Sequence, residues 1–271
     1  MSLGVLLGAS ILYFASVILY QIYLVSTRSR FGGWALGAFL GAWVLHTMLL
    51  ILNTLTSGSL PIATAWQSLT LYAWIVGLAF WILELHFGYG TWGAWVSPLI
   101  LIGLLLSGLA SRSTTGFAQA LLHGPLLVAH VVSLFVAYGF FTLAFASAVL
   151  YLAQDHILRQ KRPTARHYRL PPLEVTENLG RTLSALGLPF MTVGLITGSM
   201  EAEQAWGTFW LWDPKLTLAL LTWVIYMGYF YLRNGLHWRG RRSAWLLVAG
   251  FIVVLIAYMG SGVLFPTVHS F

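Results

Sequence analysis

The sequence predicts an all-α integral membrane protein, a bundle of about eight transmembrane helices with both termini on the extracytoplasmic side. Three observations predict it. Only 8% of the 271 residues are charged and 59% are hydrophobic, with a mean hydropathy of +0.81, whereas a soluble domain carries roughly a quarter charged residues. Eight runs approach the ~20 apolar residues that a helix needs to cross the hydrocarbon core. The basic residues gather on one side of those runs. So few charges cannot clothe a water-soluble surface, so most of the exterior faces lipid.

The elements follow in order. The first span, 3–25, has no basic region ahead of its apolar run and no small-residue cleavage site, so it reads as a retained span and not a signal peptide. The second, 33–55, lies beside glycines at 32, 33, 37 and 41 that permit close helix contacts. It carries His46, a costly polar group at that depth that needs an interior partner. Either a helix carbonyl or a ligand cavity would serve. The third and fourth spans are 63–85 and 93–110. The fifth, 124–154, is too long for one crossing and is expected to project beyond the membrane as a helix. Asp155 to Gly180 is the only sizeable hydrophilic stretch, and with Pro163, Pro171 and Pro172 it is too small for a separate domain. The last three spans are 182–199, 215–233 and 243–264. No internal repeat is visible, and residues 1–271 read as a single polytopic membrane domain.

Orientation comes from Lys and Arg. Arg28 and Arg30 follow span one. Arg159, Lys161, Arg162, Arg166, Arg169 and Arg181 lie between spans five and six. Arg233, Arg239, Arg241 and Arg242 lie between spans seven and eight. All these segments share one side, leaving only Arg112 and Lys215 of the 14 basic residues on the other. The positive-inside rule makes the crowded side cytoplasmic. The net charge of +7 is thereby a matter of topology and does not call for a nucleic acid. Cysteine is absent, which excludes disulfides and thiolate chemistry supplied by this chain. No Ser/His/Asp array, carboxylate pair or phosphate-cradling glycine loop is present, so hydrolysis and phosphoryl transfer have no support.

The chemistry-bearing segment is the external loop at about 199–215, which contains Trp206, Gly207, Phe209, Trp210, Trp212, Asp213, Pro214 and Lys215. On spacing alone it is either an interfacial aromatic belt or a platform on which a flat apolar ligand stacks, with Gly207 allowing close backbone approach. Asp213 and Pro214 also suit the first turn of the following helix. His130 sits near the external end of span five, and His269 lies just beyond span eight. His123 shares a helical face with His130. His86, His156, His167 and His237 fall at cytoplasmic ends or loops, and Glu201 and Glu203 are expected to be solvated.

Gly194-Leu195-Ile196-Thr197-Gly198, followed by Ala202 through Lys215 with its W-G-x-x-W-x-W-D-P order, resembles the WWD signature of the CcsA (ResC) family of System II cytochrome c biogenesis. The likeness extends through Trp223, Trp238 to Arg242, Pro61, Gln67 to Leu69, Trp74 and Leu170 to Glu174, and covers most of the chain in order. The resemblance implies a heme-handling protein of the bacterial cytoplasmic or thylakoid membrane that works with a CcsB/ResB-like partner. It implies that heme b is held between His130 and His269 as axial ligands, on Trp206, Gly207, Trp210, Trp212 and Asp213. It further implies presentation to apocytochrome c bearing Cys-x-x-Cys-His, within a holocytochrome c synthase (heme lyase) complex. A non-catalytic heme-binding assembly factor of the HemX type is the alternative. A quinone or electron-transfer subunit is a third reading, carried by His46 alone.

The chain departs from the family pattern in places. Tyr231 stands where relatives carry a histidine within span seven, and is either a phenolate ligand or a packing residue. Ser59 stands where histidine is frequent, and Gln67 where glutamate is common.

Overall fold

A computed structural model of the chain describes residues 2–26, 28–58, 60–62, 64–88, 90–110, 124–160, 170–209 and 213–260. Every regular element among them is helical. The helices are α1 (Ser2–Val25), α2 (Arg30–Ser57), α3 (Ala65–Phe87), α4 (Gly93–Leu109), α5 (Pro125–Arg159), α6 (Leu173–Trp206), α7 (Pro214–Asn234) and α8 (Arg241–Leu255). A single π-helical turn, Ile256–Gly260, continues α8. Seven of the helices are long and apolar enough to cross a membrane, and α4 is shorter. They form two compact units, residues 1–114 with 156–172, and residues 115–155 with 173–271.

The outside of the first unit is apolar like its core. Along α1 the outward stripe is Leu3, Leu7, Ile11, Phe14, Ile18, Ile22 and Val25, whereas Ala9, Tyr13, Ser16 and Tyr20 are buried. Spacing of three to four residues puts each set on its own helix face. Apolar residues outside and small or polar residues inside are what a lipid solvent selects, because helices then associate by close packing and hydrogen bonds. Gly8 approaches Leu45 and Gly41 approaches Leu12, so α1 and α2 lie close together. The Ser16 hydroxyl donates to the Ala35 carbonyl at 3.0 Å.

His46 is fully buried in this unit, and its partner proves to be protein. Its Nε2 donates to the Thr70 carbonyl at 3.0 Å, and its Nδ1 accepts from the Tyr13 hydroxyl at 3.4 Å. With both ring nitrogens engaged, His46 ties α1, α2 and α3 together. Beside it, Trp43 and Trp74 stack with centroids 5.2 Å apart, and the Trp74 indole donates to Thr47. The ends of the helices are set by local chemistry. Gly58 and Gly88 adopt left-handed φ after α2 and α3, and the Thr64 hydroxyl accepts from the Gln67 amide to start α3.

In the second unit α5 and α6 run antiparallel along a ladder of glycines. A β-carbon at Gly187 would meet Phe141, at Gly194 Leu134 and at Gly198 His130, while one at Gly180 would press on Leu247 of α8 and reach Ser147 at ordinary contact distance. The α5 partners descend as the glycines ascend, which is antiparallel register. The Ser147 hydroxyl donates to the Thr176 carbonyl at 2.6 Å near the start of α6. Tyr226 of α7 stacks on Phe141 with centroids 3.6 Å apart, and Phe251 of α8 stacks on Phe145 at 4.5 Å. The far end of the unit is closed by Arg233, which donates to Glu177 at 2.6 Å and to the Ser243 hydroxyl at 3.1 Å.

One long helix agrees with expectation and another departs from it. At 35 residues, α5 is ~52 Å long at 1.5 Å per residue, beyond a ~30 Å hydrocarbon core, as its length predicts. The departure is α6, which runs nine residues earlier and seven later than the expected span 182–199. It takes in much of the expected hydrophilic stretch and the first part of the expected loop. The reason is local: Glu201-Ala202-Glu203-Gln204-Ala205 is built of strong helix formers. The helix stops only at Gly207, whose φ of +72° suits glycine and whose amide caps the Glu203 carbonyl at 2.8 Å. Glu201 is consequently turned inward and buried, where solvation was expected, while Glu203 is exposed.

Candidate functional site

The glycine ladder ends on a histidine. The His130 Nδ1 lies 2.7 Å from the Gly194 carbonyl oxygen. A carbonyl can only accept, so Nδ1 carries the proton and donates it, and Nε2 retains a lone pair. Gly198, one turn further along α6, lets the ring lie against the helix backbone. The Thr197 hydroxyl shares the Gly194 carbonyl at 3.2 Å. A neutral imidazole with one fixed nitrogen and one bare nitrogen is the arrangement found in histidines that bind transition metals.

Two further parts of this end are built by α7. The Asp213 carboxylate accepts from the Lys215 amide at 2.9 Å, with Pro214 in the first turn. That is the helix start expected from the sequence, and it leaves Asp213 itself buried. The Lys215 ammonium lies within Coulombic reach of the His130 ring. The same ammonium feels the Asp213 carboxylate, so the two charges at the start of α7 act together. Phe209, in the link between α6 and α7, is exposed by 58%.

The remaining residues singled out by sequence are distributed as follows. Trp206 is the last residue of α6 and Gly207 is the cap that ends it. Trp210, Trp212, His269 and His123 lie outside the described residues. The π turn leading toward the C-terminus packs on α5, with Tyr258 edge-on to Phe135 at 5.8 Å, five residues from His130. Tyr231 lies at the other end of α7, ~25 Å along the helix from Pro214 at 1.5 Å per residue, and is 68% exposed. It is therefore not brought together with His130. Among the described residues no group of three or more His, Cys, Asp or Glu could hold a metal ion as a cluster. A histidine offering one lone pair suits a metal already chelated in a ring.

Two features escaped sequence reasoning. Gly194 and Gly198 were visible only as letters of a motif, and Lys215 only as part of a helix start. A histidine at the end of one helix and a glycine pair four apart on the antiparallel neighbour would have been the signal.

Comparison with known proteins agrees with this picture. Residues 62–269 match the family described as cytochrome C assembly protein. A cytochrome c biogenesis protein CcsA from Guillardia theta is 31% identical over 87% of this chain and 84% of its own length. A second CcsA, from Synechococcus sp. strain JA-2-3B'a(2-13), is 26% identical over 98% of this chain and 91% of its own. Among solved structures the chain resembles the cytochrome c heme lyase CcmF, with a TM-score of 0.68 at 13% identity. That likeness, which concerns the fold, covers 99% of this chain but only 47% of CcmF. With its multiple apolar helices and these relatives, the chain belongs to the cytochrome c assembly protein family as a multi-pass membrane protein of the CcsA type.

Proposed function

We propose that this chain takes up heme b and presents it at the extracytoplasmic face of the membrane for covalent attachment to apocytochrome c. His130 and His269 are the axial ligands, and the segment from Trp206 through Trp210 and Trp212 to Asp213 is the platform. The observation that carries this reading is the His130 ring, whose Nδ1 is bound to the Gly194 carbonyl and whose Nε2 is free to donate to iron. Lys215 offers a counter-charge for a propionate. The positive-inside rule puts this end of the second unit outside the cytoplasm, and a CcsB/ResB-like protein is the partner with which the chain works.

In this reading the protein supplies iron ligation and orientation, and the substrate supplies the nucleophiles. Each thiol of the incoming Cys-x-x-Cys-His segment adds across one vinyl group. A carbon–sulfur bond forms, the thiol hydrogen passes to the neighbouring vinyl carbon, and no electrons are gained or lost. The histidine of the same segment must take one axial position, so His130 and His269 need to be exchangeable ligands. Two imidazoles saturate the iron until then.

The test is purification with the partner, followed by absorption spectra and holocytochrome yield for wild type, His130→Ala and His269→Ala. Both substitutions are expected to deplete bound heme and product. If heme and yield were untouched, the assignment would fail. One observation favours a second reading, a non-catalytic heme-binding assembly factor of the HemX type. Tyr231 replaces the usual histidine and stands exposed on α7. Tyr231→Phe distinguishes the roles of that position: an altered heme spectrum identifies a ligand, and an unaltered one a surface residue.

A further inference from the structure

We infer that Gly198, acting with the Gly194 carbonyl, is a positioning residue that fixes the direction and tautomer of the His130 ring. The inference rests on His130 being an iron ligand and adds to it the element that aims the lone pair.

The geometry is tight. A β-carbon on Gly198 would stand 2.5 Å from both Cε1 and Nδ1 of His130, closer than such atoms approach in folded proteins. These atoms lie at the edge by which the ring is held, because Nδ1 itself is bound at 2.7 Å to the Gly194 carbonyl. The ring can escape only by turning about its side-chain bonds, and that breaks the hydrogen bond. Once broken, the proton is free to move to Nε2, and the nitrogen offered to the iron changes. A metal-ligating histidine is normally held by such an outer hydrogen bond, and loss of the partner typically lowers metal affinity about 10–100-fold. The acceptor here is a neutral carbonyl and not a carboxylate, so it orients the imidazole without adding the electron donation of an anionic partner. That suits a ligand that must later yield its place.

The other glycines of α6 separate positioning from packing. A β-carbon at Gly194 would meet Leu134 at 2.5 Å, and one at Gly187 would meet Phe141 at 2.6 Å. Gly187→Ala therefore overpacks the same pair of helices to a similar degree, three turns away and without touching His130. It is the control for Gly198→Ala.

The experiment uses the full chain purified with its partner, with heme content, absorption spectrum and displacement by added imidazole as readouts. Gly198→Ala is expected to lower heme retention by roughly tenfold and shift the remaining heme toward a high-spin spectrum. Gly187→Ala is expected to lower thermal stability comparably while keeping the wild-type spectrum. In a His130→Ala background, adding Gly198→Ala is expected to change nothing further, because the ring it displaces is gone. Should Gly198→Ala fail to accumulate, accumulation of the double variant at the level of His130→Ala reads the same clash, and failure of both overturns the inference. A wild-type spectrum for Gly198→Ala, or the same spectral shift for Gly187→Ala, also overturns it while leaving His130 as ligand. A His130→Ala protein with unchanged heme would instead remove the reading on which it rests.

Discussion

Glu177 holds together one end of the second unit, and replacing it by alanine tests how that end is built. Its Oε1 accepts from Arg233 at 2.6 Å and from the Gly240 amide at 2.9 Å, so one oxygen joins the end of α7 to the start of α8. The side chains of Arg233 and Glu177 are 7% and 18% exposed. Breaking a buried pair by removing one partner costs about 3–5 kcal/mol. Arg233 keeps the Ser243 hydroxyl at 3.1 Å and the Asn178 side-chain oxygen at 3.4 Å, and Glu177 is partly open to water. The cost therefore falls near the lower bound, about 3 kcal/mol, and at 2–4 °C per kcal/mol for a domain of this size the midpoint drops by roughly 6–12 °C. Glu177→Gln retains an oxygen for the Gly240 amide and should lose about half as much. Thermal melts in detergent, followed by intrinsic tryptophan fluorescence, give the ordering wild type, Gln, Ala. The double variant with Arg233→Ala should be less destabilised than the sum of the two single ones, by about 1–3 kcal/mol. A drop below ~2 °C for Glu177→Ala, or strict additivity with Arg233→Ala, would refute the reasoning.

His46→Phe leaves the Tyr13 hydroxyl and the Thr70 carbonyl without their imidazole and should destabilise the first unit by about 1–3 kcal/mol. Heme bound per folded molecule is expected to be unchanged, and a proportional loss of heme would show that His46 does more than tie helices. Asp213→Ala removes the cap of α7 and should cost about 0.5–2 kcal/mol, whereas Asp213→Asn keeps a capping oxygen and should restore most of it. If Asn restored stability but not heme content, the charge of Asp213, and not its cap, would be what the ligand requires.

Much of the fold could be read from the residues. Eight apolar runs foretold eight helices, because in lipid the backbone must satisfy itself and length alone announces a span. Asp213 and Pro214 announced the start of α7 because capping is local chemistry. The length of α6 could not be read from hydropathy, since its extra turns are hydrophilic yet helical, and a hydropathy window stops where polarity begins. The fate of His46 depended on Tyr13 and Thr70, 33 and 24 residues away in sequence, and no local pattern encodes such a meeting. At the candidate site the histidine was singled out by the resemblance of the neighbouring Trp-rich segment, since a position at a helix end alone equally describes an interfacial side chain. The seat beneath it was not, because a glycine's contribution lies in the atom it lacks.

The glycine ladder between α5 and α6 also governs which movements the second unit can make. Four levels of contact, from Gly180 on Ser147 to Gly198 on His130, extend over ~27 Å of helix at 1.5 Å per residue. Sliding one helix along the other by a turn, ~5.4 Å, would leave only one of these side chains facing a glycine, because Gly194 and Gly198 are themselves a turn apart, and would set the others against neighbours that bear a β-carbon. Such a ratchet has a high barrier. Such a barrier holds the histidine at one height along α6, and leaves movement within this unit to elements that carry no such teeth.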